Sequence, residues 1–201
     1  MFTRMKSKRS YKMSERAKSQ EETRQKIVEA TMHLHEELGP RNTSISAIAE
    51  RAGVQRLTVY RHFPDETAVF QACTAHWLSL NPPPDPASWT EIPDPIKRLR
   101  AALGAFYDYF SRTHKMWTVS FRDVGEVPAL QQPMAEVAKF LGGVADGLII
   151  NFGETRDSNL VDPTIRHALH FQTWMNLEDL GLSNQDKLDL VTLWLKVPSG
   201  A

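Results

Sequence analysis

Apolar residues recur along this chain at helical intervals, and proline, glycine or polar runs separate the repeats. Ile27, Ala30, Leu34 and Leu38 define the stripe of a first helix over about 21–38, stopped by Gly39-Pro40. Ile45, Ile48, Ala49 and Ala52 define a second, which Ser44 can cap. After Gly53, which suits a turn with positive φ, Val54, Val59 and Phe63 are the inward positions of a short third helix over about 55–62. Val69, Ala72, Cys73, His76, Trp77 and Leu80 extend the pattern into a fourth, capped by Asp65. The proline-rich stretch 81–93 reads as a loop. Asp94-Pro95 opens a fifth helix with Ile96, Leu99, Leu103, Phe106 and Phe110 on one stripe, and a sixth is expected over 113–122. After a break at 125–133, a seventh is expected over 134–152, weakened by Gly142, Gly143 and Gly147, each costing ~1 kcal/mol against alanine. Close approach of another helix or a ligand, or a kink, would explain these glycines. A polar loop over 153–162, an eighth helix to Asp179, a stop at Gly181 and a ninth helix capped by Ser183 complete the pattern. The fold class is all-α, with about nine helices.

The stretch from Thr43 to Phe63 carries the most distinctive chemistry. Two short helices flank a tight glycine turn, and the outward face of the second presents Gln55, Arg56, Thr58, Tyr60, Arg61 and His62. Its acidic neighbours, Glu50 and Asp65, lie outside that helix. A donor-rich second helix after a glycine turn suits entry into a DNA major groove, and the same pattern also fits a surface helical hairpin. Arginine and glutamine match guanine and adenine edges; hydroxyls and histidine match phosphates.

Two runs in this stretch, Ile48-Ala-Glu-Arg-Ala-Gly-Val54 and Thr58-Val-Tyr-Arg-His-Phe-Pro-Asp65, resemble the DNA-binding signature of tetracycline-repressor (TetR) family regulators. The likeness extends upstream through Ile27, Ala30, Leu38 and Gly39 and downstream through Ala68, Val69 and Phe70, covering about residues 22–72. It implies that Gln55, Arg56 and Leu57 face bases, with Leu57 able to touch a thymine methyl. Ser44, Thr58, Tyr60 and His62 would then meet phosphates, with Arg41 and Thr43 as looser candidates. The resemblance further implies a homodimer on double-stranded operator DNA, a small-molecule effector in the carboxyl-terminal body, and a fourth helix that couples body to head. One position departs from the pattern: Glu66 stands where a phosphate-facing lysine is expected.

Charge agrees with a polyanion at one end. The chain is neutral overall, but residues 1–80 hold 13 Lys/Arg against 9 Asp/Glu, and the first 26 residues hold 9 against 3. Residues 1–20 lack an apolar period and read as a disordered basic arm able to follow phosphates or a minor groove. The arm has no apolar core of the secretory type, and no run reaches the ~18 apolar residues of a membrane span. A lone cysteine, Cys73, excludes an intrachain disulfide and fits a reducing, cytoplasmic setting as a small core residue.

The body is rich in large aromatic groups. Phe106, Phe110, Trp117, Phe121, Phe140, His170 and Trp174 are the candidate lining of an apolar effector site, and each is equally a candidate core residue. His167 and His170 lie three apart, but no further ligand completes a metal site. No nucleophile–base pair, phosphate-cradling loop or paired-carboxylate motif calls for catalysis, and no cofactor is expected. The eighth and ninth helices are the candidate dimer interface, where a symmetric copy would complete a four-helix bundle. The domain organisation expected is a basic arm 1–20, a helix-turn-helix domain 21–66, a ligand-binding and dimerisation body 67–197, and a tail 198–201. The function expected is a cytoplasmic, homodimeric, ligand-responsive repressor; the alternative is a ligand-independent DNA-binding regulator with a filled body.

Overall fold

The computed structural model describes residues 4–152 and 158–195, with side chains over 15–152 and 160–195. Among these residues all regular structure is helical: α1 Arg4–Leu38, α2 Ile45–Arg51, α3 Arg56–His62, α4 Glu66–Leu80, α5 Ala87–Thr90, α6 Pro95–Asp123, α7 Pro128–Ile149, α8 Ser158–Leu169, α9 Phe171–Asp179 and α10 Asn184–Leu195. They form two compact units. The first comprises Met1–Leu80 with Val119–Gln131, and the second Asn81–Thr118 with Gln132–Ala201. The all-α expectation holds, with ten helices among the described residues in place of about nine.

The first unit, the head, is built on Ile27, Val28 and Leu34 of α1, Ile45, Ile48 and Ala49 of α2, Val59 and Phe63 around α3, and Val69 and Phe70 of α4. Ile27, Ile48, Val59 and Val69 are fully buried, each worth roughly 1.5–3 kcal/mol relative to exposure. A helix as short as α3 is marginal alone, so Val59 and Phe63 hold it by tertiary packing. Leu38, expected on the α1 stripe, is instead 45% exposed beyond the edge of this core.

Several boundaries differ from expectation. Residues 4–20 are helical, not an irregular arm, because they lack proline and glycine and consist largely of good helix formers. The expected fifth and sixth helices are one 29-residue helix, α6. Its polar stretch Ser111–Lys115 continues the helix: the Thr113 hydroxyl donates to the Tyr109 carbonyl, and Trp117 Nε1 donates to Thr113 Oγ1. The proline-rich loop contains a short helix, α5, which buries Trp89; the Asp85 carboxylate accepts from the Ala87 N–H at its start. α7 starts at Pro128, where proline's missing N–H costs nothing, rather than after Pro133. The expected eighth helix is divided at His170 into α8 and α9, and α8 already begins at Ser158. The expected arm's first residues, residues 153–157 of the expected 153–162 loop and the 198–201 tail lie outside the described residues. The domain boundary at 66–67 also moves: α4 and residues 119–131 belong to the head.

The second unit, the body, contains a cluster of rings. Phe110 lies 5.4 Å from Phe171, 6.0 Å from Phe106 and Trp174, and 6.4 Å from Trp117, centroid to centroid. The Tyr107 hydroxyl donates to the Ala168 carbonyl and joins α6 to α8. Lys187 of α10 is fully buried; its ammonium donates to Glu178 and Asn184 and lies 5.3 Å from the Trp174 ring centre.

Candidate nucleic-acid interface

The turn between α2 and α3 is fixed by its glycine. Gly53 has φ +67°, its N–H donates to the Glu50 carbonyl, and the Val54 N–H donates to the Ala49 carbonyl. This pair of bonds is a Schellman closure, and Val54 packs against the head core as its hydrophobic partner. At the other end of α2, Ser44 Oγ accepts from the Ala47 N–H, as expected of a cap. Its hydroxyl proton stays available to a phosphate oxygen.

α3 then presents two distinct sides. Val59 is completely buried, whereas Leu57 is 73% exposed and Tyr60 40% exposed. Gln55 precedes the helix with extended backbone and makes no side-chain cap bond, so its amide is free to read a base edge. Arg56 Nη2 donates to the Tyr60 hydroxyl at 3.2 Å, and the guanidinium sits 5.6 Å from that ring's centre. The Tyr60 side chain thereby restricts where Arg56 can point. Thr58 and His62 are half-buried at the margins, and Arg61 is exposed beside them. Beneath the helix, Arg24 of α1 lies 4.8 Å from the centre of the buried Phe63 ring.

Of the looser candidates, Thr43 is buried and donates its hydroxyl to the Gly39 carbonyl, so it cannot reach a phosphate. Arg41 is engaged by Glu126 at 2.7 Å. Its backbone N–H donates to Asp123, a carboxylate that sequence periodicity gave no reason to notice. Asp123 is 1% exposed and also accepts two bonds from Arg122, which donates onward to the Leu38 carbonyl at the end of α1. Arg122 beside it, with the Arg41 N–H, holds the Asp123 carboxyl below the usual carboxylate range. Asp65 caps α4 through the Ala68 N–H, and Glu66 is exposed at the first position of that helix.

Two buried groups of the head are not aimed outward. Cys73 lies 3.7 Å from His35 Nδ1, and burial pushes its thiol up to about 12, as expected for an inert core residue. His35 is 4% exposed, meets Phe70 edge-on, and leaves Nε2 without a hydrogen-bond partner.

The candidate effector residues separate into three groups. Phe106, Phe110, Trp117 and Trp174 are buried in the ring cluster. Phe121 belongs to the head, and His170 is the cap of α9, with Nδ1 accepting from the Gln172 N–H. The break at His170 also removes the continuous helical face on which His167 and His170 were expected together. Phe140 alone of the seven, 37% exposed, borders a cavity of about 480 Å³ in the body. Among the described residues no group of three or more His, Cys, Asp or Glu could hold a metal ion, and no helix is long and apolar enough to cross a membrane.

A helix-turn-helix with an exposed donor face, within described residues that are otherwise helical, suits a DNA-binding domain of the regulator type. Residues 27–73 match the family of bacterial regulatory proteins described as the tetR family. Over 68 residues the chain is 40% identical to the HTH-type transcriptional regulator SrpR of Pseudomonas putida, a match covering 32% of each protein. The tetR-family match thus covers residues 27–73, the amino-terminal helices of the chain. The fold of the whole is similar to a TetR-like transcriptional regulator from Rhodococcus sp. RHA1, with TM-score 0.59 and 18% identity over 86% of this chain and 92% of that one. A second transcriptional regulator from the same source gives TM-score 0.62 and 16% identity, over 86% and 96%. The chain thus matches about a third of its curated relative's length in sequence, and these solved structures in fold.

Proposed function

We propose that this protein is a DNA-binding transcription repressor that acts as a homodimer on a palindromic operator and is released by a small, largely apolar effector. The observation that carries DNA reading is α3. Its inner side is anchored by fully buried Val59, while Leu57 is 73% exposed on a helix whose Gln55, Arg56 and Tyr60 are also exposed. A large apolar side chain offered to water among hydrogen-bond donors suits a thymine methyl flanked by base edges and phosphates. The basic first 20 residues, helical from Arg4, add a cationic extension suited to phosphates. One such helix contacts few base pairs, so a twofold pair of heads supplies the length of an operator. Binding of effector to the body favours the conformation with lower operator affinity, through different affinity for the two states.

The test begins with an operator selected from random duplexes. Arg56→Ala should lose about 1–3 kcal/mol at one base position and relax sequence choice there. Tyr60→Phe should weaken all duplexes alike. Unchanged selection and affinity for both variants would overturn the assignment of α3 as the reading helix. The ligand-independent alternative draws support from the close-packed rings of the body, where aromatic centroids are 5.4–6.4 Å apart. It predicts that no small molecule shifts operator binding.

A further inference from the structure

The cavity bordered by Phe140 lies beside the ring cluster, whose Phe106 is 6.0 Å from Trp89 and 6.3 Å from Phe140, centroid to centroid. One wall is the short α5 turn, with Pro86, buried Trp89 and Thr90. The opposite wall is one side of α7, where Phe140, Gly143, Val144 and Gly147 follow at helical spacing. Its size falls in the range of small-molecule sites, about 300–1,000 Å³, and most of its surface is apolar.

Three charged groups stand at its rim: Arg98, Glu136 and Lys139. Glu136 accepts from the Gln132 side chain at 3.1 Å. Arg98 is tethered through Nε to the Ile92 carbonyl at 2.7 Å, which aims the guanidinium without using its two Nη nitrogens. Among the described residues no carboxylate pairs with Arg98 or Lys139. The rim therefore carries two unpaired cations against one acid already held by an amide.

The α7 glycines supply a second observation. Glycine within a helix is less favourable than alanine. A Cβ built on Gly143 or Gly147 would meet nothing within 4 Å, so no close packing inside the chain requires either. Both open onto the cavity. Side chains there would fill it.

We infer that this cavity binds an amphipathic organic carboxylate, with the apolar body along Phe140, Trp89 and the bare Gly143–Gly147 backbone and the carboxylate at Lys139 and Arg98. As the effector site, this inference rests on the proposed function; as a binding site, it stands on the cavity itself.

The test is calorimetric titration of the full chain, without DNA, using decanoate and 2-naphthoate as probes. Decanol and 2-naphthalenemethanol are the uncharged controls. At least one carboxylate should bind, and its alcohol should bind about tenfold more weakly or not at all. Lys139→Gln should weaken the carboxylate by about tenfold and leave the alcohol unchanged. Gly143→Leu should abolish binding, whereas Gly142→Leu, one residue round the helix and off the cavity, should not. Both leucine variants should fold, because neither Cβ meets a neighbour and leucine favours a helix; thermal unfolding by circular dichroism checks this. Absence of heat with both probes, or equal effects of the two leucine variants, would overturn the site. So would a Gly143→Leu change in sedimentation with probe binding intact, which would make the groove an interface between copies. A failed titration beside intact operator binding overturns the site alone. Probe binding that leaves operator affinity unchanged keeps the site and overturns its role as the effector site.

Discussion

Acid should loosen the head through His35. This imidazole is 4% exposed between α1 and α4, with Phe70 edge-on to it, Cys73 Sγ 3.7 Å from Nδ1, and Nε2 unpartnered. Burial is the main cause that lowers its pKa from 6.5 to about 4, opposed in part by the negative charge of Asp123. The unfolded chain therefore binds a proton between these values that the folded head does not. Stability falls as pH drops through that window. The full effect is roughly 3 to 3.5 kcal/mol, and about 2 kcal/mol of it should be lost between roughly pH 7.5 and pH 5.

The assay is urea unfolding at the two pH values, with the denaturant slope checked for constancy. His35→Phe removes the titrating group at similar volume and removes the unpartnered nitrogen. It should be neutral to stabilising near pH 7.5 and should abolish most of the acid loss. His170, whose pKa burial also lowers, contributes with the same sign from the body, so the difference between wild type and variant isolates His35. Asp123 has a depressed pKa, and its contribution is lost only as pH falls through the range below 3.8, under this window. A variant with the same acid loss as wild type would refute the assignment, as would a wild type whose stability is flat across the window.

Two further perturbations test the head. Glu66→Lys should tighten DNA binding for all sequences alike and steepen the salt dependence by about one phosphate contact, measured by titration at several salt concentrations. Gly39→Ala should destabilise the head by about 1–3 kcal/mol in denaturant unfolding, because its φ of 88° and ψ of 155° lie in a region that only glycine occupies readily.

Much of the head was legible because its signals are local. Ser44 capping α2, the positive φ of Gly53 and the inward Ile48 and Val59 follow from residues within a few positions of one another. In the body the deciding partners are distant or ambiguous. A break is expected just before residue 113, yet Thr113 returns its hydroxyl to the Tyr109 carbonyl and the helix continues. Lys187 lies four residues before buried Val191, on the inward face of α10, where its charge argues against burial; Glu178, Asn184 and the Trp174 ring supply enough partners to bury it completely. The expected effector residues were chosen as large aromatics. Such side chains lower the free energy most by packing on one another, and Phe106, Phe110, Trp117 and Trp174 do so. The open space lies where side chains are small, along α7.

The glycines divide along the same physical line. Gly39, Gly53 and Gly181 have positive φ, so the chain's own turns account for them. At Gly39 a Cβ would in addition run into Arg122 Nη2 and Asp123 Oδ2, the pair that closes the end of α1. Gly143 and Gly147 have neither reason: their φ is not positive, and the space above them is empty of protein. Helix propensity alone favours alanine at both by ~1 kcal/mol each. An alanine at either position would therefore raise helix stability without a clash, while removing depth from the cavity between Trp89 and Phe140. That opposition between helix stability and an open surface is what the inferred site would impose on α7.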